Sequence, residues 1–150
     1  MSVIVAIEGL PHPNNYHVLC PEFGSSQAMR LGKALESEFG LDLSKTPVAT
    51  SPMWRSVQTA EAAGFSVVNT HLELAEVAFA NKIPKEGEIF TGQPVEVIAA
   101  AEKLVENPLS EQVWITNSRL LAALCQAVEV EYSINNLTPR RCVPIELPIG

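Results

Sequence analysis

The stretch Val48-Ala49-Thr50-Ser51-Pro52-Met53-Trp54-Arg55-Ser56-Val57-Gln58-Thr59-Ala60-Glu61 reads as the end of a buried strand, a sharp turn and the first turns of a helix. Pro47 opens the apolar run. Thr50 and Ser51 offer N-cap oxygens, and Pro52 suits the first helical position, where no backbone donor is required. Met53, Val57, Ala60 and Gly64 then recur at helical spacing. Such a junction gathers orphan N–H groups and the positive end of a helix dipole, so an anion is stabilised there. Arg55 lies in the first turn and brings a planar guanidinium, suited to holding two oxygens of one phosphate. From these residues alone two readings stand side by side: a phosphate site, and a capped helix with one solvated arginine.

Working outward, Ser2 to Ile7 is an unbroken apolar run ending at Glu8-Gly9, the pattern of a strand buried on both faces. Leu10-Pro-His-Pro-Asn-Asn-Tyr16 has no periodicity and several breakers, and reads as a loop. Ser25 to Phe39 reads as an amphipathic helix, with Ser25 and Ser26 as caps, Ala28, Leu31, Leu35 and Phe39 on its apolar face, and Gly40 at its end. Phe65 to Thr70 is a short strand, and His71 to Glu88 is irregular, with a turn at Ile83-Pro84-Lys85-Glu86-Gly87. Pro94 to Glu106 is a helix, Glu111 to Thr116 a strand, and Ser118 to Val128 a broadly buried helix. Cys142 to Leu147 closes the chain as a strand that Pro144 assigns to a sheet edge. Alternating strands and helices give an α/β domain with a mainly parallel sheet, where ligands bind beyond the carboxyl ends of the strands. Glu8, Arg55 and Asn117 all fall at such ends.

The 150 residues fit one domain spanning 1–150. With 47% hydrophobic and only 18% charged residues, the expectation is a folded core rather than disorder. A formal charge of −7 argues against nucleic acid as a partner. Cys20, Cys125 and Cys142 are widely spaced and lack metal-ligand spacing, so reduced thiols in a cytoplasmic protein are expected. No run is long enough to span a membrane, and no signal-peptide pattern opens the chain.

The wording of three segments carries more than their physics. Thr50-Ser-Pro-Met-Trp-Arg-Ser-Val-Gln-Thr-Ala-Glu61 resembles the Ser-Ser-Pro-Leu-x-Arg-Ala-x-Gln-Thr-Ala-Glu segment of the histidine phosphatase superfamily, which includes the cofactor-dependent phosphoglycerate mutases. Pro21 to Gly32 resembles that family's Leu-Thr-x-x-Gly-x-x-Gln-Ala-x-x-Leu-Gly, with Cys20-Pro21 in place of Leu-Thr. Leu74-Ala-Glu-Val-Ala-Phe-Ala80 is similar to the family's acid segment and keeps its carboxylic acid as Glu76. The resemblance implies a three-layer sandwich, a mainly parallel sheet with helices on both faces, of the phosphoglycerate mutase-like type.

The catalytic residues of that family do not carry over. Its Arg-His-Gly motif aligns with Ile7-Glu8-Gly9, and its second histidine with Asn117, followed by Ser118. A phosphohistidine intermediate needs an imidazole nucleophile, and Glu8 offers a carboxylate that repels phosphate. Phosphoryl transfer relies on positioning and charge neutralisation, which Arg55 alone does not supply. The resemblance therefore implies a non-catalytic relative that binds a small anionic ligand or a protein partner through Arg55, Glu8, Gly9, Glu76, Asn117 and Ser118, without cofactor or metal. Three alternatives stay open: a weak phosphatase using Glu8, a hydrolase using Glu8 and Glu76 as acid and base, and a structural subunit of an assembly. A homodimer is among the partner options, with the Val143 to Ile149 tail as a candidate docking segment. His12 and His17 are expected as solvated loop residues, and His71 follows a strand that need not approach the site. Arg119 reads either as a replacement for the lost positive charge beside Asn117 or as an exposed first-turn residue, the second being favoured, and Trp54 and Trp114 are assigned to packing. A salt bridge between Glu8 and Arg55 is expected, because the family's arginine and nucleophile face the same phosphate.

Overall fold

Val3–Ile7 (β1) is buried along its whole length because both of its faces are covered. Val3, Val5 and Ile7 enter one core and Ile4 and Ala6 the other, as the two-residue period of a strand requires. The computed structural model describes residues 1–75, 95–132 and 140–150. Within them β1 is followed by Pro11–His12 (β2), Asn15–Leu19 (β3), Phe23–Phe39 (α1), Val48–Thr50 (β4), Trp54–Ala63 (α2) and Val68–Thr70 (β5). A 3₁₀ turn at Leu72–Leu74 comes next, then Val95–Glu106 (α3), Val113–Thr116 (β6), Ser118–Ala127 (α4) and Ile145–Leu147 (β7).

The main sheet has the order β5-β4-β6-β1-β7. β4 runs parallel to β5 and β6, and β1 parallel to β6, with Val5 beside Trp114 and Ala49 also beside Trp114. β7 pairs antiparallel with β1 at the sheet edge, Val5 lying beside Ile145, which is where Pro144 placed it. One core joins Val5, Ile7 and Trp114 to Val97, Ala101 and Leu104 of α3 and Leu120, Leu121 and Leu124 of α4. The other joins Ile4, Ala6 and Ile115 to Leu31 and Leu35 of α1 and Ala60 and Ala63 of α2. The result is the expected three-layer α/β sandwich with a mainly parallel sheet. Gly32 sets the spacing of α1 and α2, since a Cβ there would stand 2.0 Å from the Ala63 carbonyl oxygen. Gly40 ends α1 in the left-handed conformation, φ 65°, as its place in the sequence suggested.

Several local expectations need correction. The segment from Leu10 to Tyr16 is not a plain loop, because β2 and β3 pair antiparallel as a small hairpin, Pro11 beside Leu19 and His12 beside Asn15. Helix α1 starts at Phe23 rather than Ser25, its N-cap is Glu22 with no side-chain bond, and the Ser25 N–H is satisfied by the Cys20 carbonyl. Helix α2 starts at Trp54, so Pro52 lies before it and neither Thr50 nor Ser51 is its cap. Thr50 Oγ1 donates instead to the Ser51 carbonyl. Trp114 is fully buried and donates from Nε1 to the Glu111 carbonyl at 2.7 Å, as a packing residue should. Trp54 does not pack, being 64% exposed. Arg119 does lie in the first turn of α4, but it is half-buried rather than exposed. Among the described residues no helix is long and apolar enough to cross a membrane.

Candidate functional site

Glu8 follows β1, Asn117 follows β6, and Arg55 lies in the first turn of α2 just beyond β4, so the parallel strands bring all three to the carboxyl end of the sheet. The alternation that sends Ile4 and Ala6 toward α1 and α2 sends Glu8 the same way. Its side chain meets the first turn of α2. Arg55 Nη2 donates to Glu8 Oε1 at 2.5 Å, and Ser56 Oγ donates to Glu8 Oε2. Glu8 and Arg55 are 2% and 1% exposed, so the expected ion pair exists and is buried.

Ser51, Ser56 and Tyr16 brace the pair. Ser51 Oγ donates to Ser56 Oγ at 2.8 Å, making Ser51 the first link of a hydroxyl chain that ends at the Glu8 carboxylate. Arg55 Nη1 donates to the Tyr16 carbonyl at 2.5 Å, and its guanidinium stacks 4.2 Å from the centre of the Tyr16 ring. Burial disfavours the charged guanidinium. The attraction of Glu8 and the bonds to Tyr16 and Glu8 outweigh it, and Arg55 is held above its ordinary value. Thr59 Oγ1 accepts from the Gly9 N–H at 3.0 Å and donates to the Arg55 carbonyl at 2.8 Å, locking the end of β1 to α2. The glycine at position 9 serves a different approach, to β3 and α1, since a Cβ there would stand 2.6 Å from Leu19 Cδ1 and 3.0 Å from the Gly24 carbonyl oxygen.

Asn117 has a local task. Its Oδ1 accepts from the Leu120 N–H at 2.9 Å, which makes it the N-cap of α4, while Nδ2 faces Thr116 Oγ1 at 3.5 Å. Ser118 is the first residue of that helix. Ile7 is 1% exposed and belongs to the core with α3 and α4. Glu76 lies outside the described residues. His12 Nδ1 accepts from the Asn14 N–H, and His17 is exposed with its ring edge-on to Tyr16. His71 is engaged elsewhere: its Nε2 lies 2.8 Å from Glu111 Oε2 and its Nδ1 3.7 Å from Glu73. Among the described residues no group of three or more His, Cys, Asp or Glu side chains is placed to hold a metal ion. A cleft of about 540 Å³, lined by Met1, Val3, Leu109, Glu111 and Ile149 among others, lies at the other end of β1, away from Glu8.

The sequence reading missed Arg141. This residue bridges to Ile7 in parallel register, and its Nη1 donates to the Glu8 carbonyl at 3.3 Å. Burial and the nearby Arg55 charge lower the Arg141 pKa from its ordinary value. Nothing in the spacing of the sequence signals it, since 133 residues separate it from Glu8.

No family model and no curated protein matches the chain. Solved structures do. The protein TTHB049 from Thermus thermophilus matches with a TM-score of 0.63 at 20% identity, covering 99% of this chain and 94% of its own. The product of open reading frame Rv3214 from Mycobacterium tuberculosis matches with a TM-score of 0.58 at 19% identity, over 86% of this chain and 80% of its own. A phosphoserine phosphatase from Entamoeba histolytica, in complex with 3-phosphoglyceric acid, matches with a TM-score of 0.59 at 14% identity, over 90% and 86%. These likenesses speak to the fold, which is of the phosphoglycerate mutase-like type that the sequence resemblance implied.

Proposed function

We propose that this chain is a non-catalytic relative of the histidine phosphatases whose former reaction site serves binding, of a small anion in the first place. The observation that carries the reading is the buried Glu8–Arg55 pair. In a phosphatase of this type the arginine must meet the substrate's phosphoryl group, and here an internal carboxylate meets it. The other oxygen of the same carboxylate accepts from Ser56, so both oxygens are engaged inside the protein. The Asn117 side chain is committed to capping α4, where the family has its second imidazole. Nucleophile and charge-neutralising groups are thus consumed by each other, and phosphoryl transfer depends on both.

The test is hydrolysis of p-nitrophenyl phosphate and small phosphomonoesters by the purified protein. Turnover at background level is expected. Turnover abolished by Glu8→Gln or Arg55→Ala overturns the reading, and turnover indifferent to both identifies a contaminant.

A further inference from the structure

Helix α1 exposes two large apolar side chains. Its inward face is made by Gly24, Ala28, Leu31 and Leu35, all of them buried. Phe23 and Met29 lie outside that face and are 64% and 55% exposed. Glu22, Ser26, Arg30 and Lys33 are the exposed residues around them. Glu22 already has helical backbone angles, φ −86° and ψ −62°, so these side chains share one continuous helical surface. Among the described residues none of Glu22, Arg30 and Lys33 has an ion-pair partner. The order of the face reads the same from either end, with the charge reversed. Ser26 stands at the centre. At ~100° per residue, Phe23 and Met29 lie ~60° to its two sides and three residues away in opposite directions. Glu22 and Arg30 lie ~40° to its two sides and four residues away. An acid and an apolar group precede the centre, and an apolar group and a base follow it.

We infer that the outer face of α1 is a two-fold contact between two copies of this chain, their α1 helices crossing antiparallel at Ser26. A two-fold contact requires a patch that complements itself, residue i of one copy meeting residue j of the other and j meeting i. A partner of unrelated sequence makes no demand for a charge-reversed order, and a second copy does. Turning α1 over about Ser26 sets Glu22 and Phe23 of one copy level with Arg30 and Met29 of the other, at two equivalent places. Each Glu22 then lies within reach of Arg30 and Lys33 on the facing helix, and each Phe23 meets the facing Met29 and the stem of Arg30. Ser26 is small enough to let the axes approach to the ~8–10 Å of packed helices. The formal charge of −7 on each copy opposes association in general, and the cations of this face offset it locally. The face is one helix wide, below the ~800 Å² per partner of a standard interface, so the dimer is a reversible one. The inference uses neither Glu8 nor Arg55 and is independent of the anion reading.

The experiment is sedimentation equilibrium on the full chain, from micromolar to near-millimolar concentration at low salt, with Glu22→Arg, Arg30→Glu and an equal mixture of the two variants. Both substitutions fall on exposed side chains, and circular dichroism checks that each variant is folded. The parent should show a monomer–dimer equilibrium. Each variant alone should dimerise at least about tenfold more weakly, because the symmetry repeats every like-charge contact twice. The mixture should recover association close to that of the parent, since the reversed acid of one variant meets the reversed base of the other. Ser26→Cys supplies a second measurement. Under mild oxidation it should form a disulfide-linked dimer, the two-fold axis setting the new thiol against its own copy, while Ser37→Cys, further along the same helix, should not. A parent that stays monomeric throughout overturns the inference. A dimer indifferent to both charge reversals belongs to another surface and overturns it as well, as does a mixture that associates no better than its parts. Equal linkage at the two engineered cysteines, or none at Ser26→Cys, does the same.

Discussion

Replacing Glu8 by Gln is the most direct interrogation of the site. The amide keeps the shape of the carboxylate and Oε1 still accepts from Arg55 Nη2, while the new NH₂ group donates where an oxygen accepted from Ser56 Oγ. The charge is removed and that one hydrogen bond is reversed. Arg55 remains 1% exposed and loses its ion pair with Glu8. Two unit charges centred ~4 Å apart attract by about 4 kcal/mol at an effective dielectric of ~20. Breaking a buried pair from one side typically costs about 3–5 kcal/mol, so the two estimates agree. At about 2–4 °C per kcal/mol for a chain of this length, the variant should melt about 10 °C below the parent in phosphate-free buffer. Added phosphate should return part of the loss, by about 2.7 kcal/mol when present at ~100 times its dissociation constant. The assay is urea unfolding followed by circular dichroism, in chloride and in phosphate at matched ionic strength. A variant within about 1 kcal/mol of the parent, well short of the range predicted for a buried pair, would refute the electrostatic argument.

Two further expectations concern the scaffold. Gly32→Ala would normally strengthen a helix by about 1 kcal/mol. Here its methyl meets the Ala63 backbone oxygen at 2.0 Å, so α1 and α2 must separate and a net loss of about 1–3 kcal/mol is expected from the urea midpoint. An unchanged or raised midpoint refutes the close approach of the two helices. Burial pushes the thiols of Cys125 and Cys142 up to about 11 and about 12, from an ordinary value of 9.0. Unfolding releases both to ionise, so their contribution to stability is intact below pH 9.0 and is lost as pH rises through about 11 and about 12. Cys125→Ala/Cys142→Ala should flatten that alkaline decline, as measured by urea unfolding across the pH series, and an unaltered slope counts against it.

The matched segments made the fold legible for a physical reason. Gln58 Oε1 accepts from the Leu19 N–H, Gln27 Oε1 accepts from the Leu10 N–H, Thr59 ties Gly9 to Arg55, and Gly32 admits the Ala63 carbonyl. Each of these residues fastens backbone to backbone, and their work is independent of any reaction. The salt bridge was legible too, because the resemblance implied that positions 8 and 55 face one point, and the two side chains meet there. Other features left no local trace. The β2–β3 hairpin hides behind prolines and asparagines, since glutamines reaching over from α1 and α2 satisfy backbone donors at its base. Asn117 is different: it read as a vacated catalytic position, although an asparagine directly before a helix start is a local capping signal, which its bond to Leu120 fulfils. Arg141 reaches the site through a long-range bridge to Ile7, a register that no spacing within the chain encodes.

That hairpin has a consequence for the rhythm of local opening. A two-stranded ribbon is marginal on its own, and this one is fastened to the domain through Gln27, Gln58 and the Arg55 bond to Tyr16. Lifting Tyr16 away means surrendering both the carbonyl bond and the ring stacked on the guanidinium. The frequency with which the ribbon detaches is therefore set less by its own ladder than by how tightly Arg55 is held at its base. An occupant that draws the guanidinium inward loosens Tyr16, and one that leaves it in place keeps the ribbon seated. Amide hydrogen exchange at Leu10 and Leu19 thus becomes a clock for what sits beside Arg55.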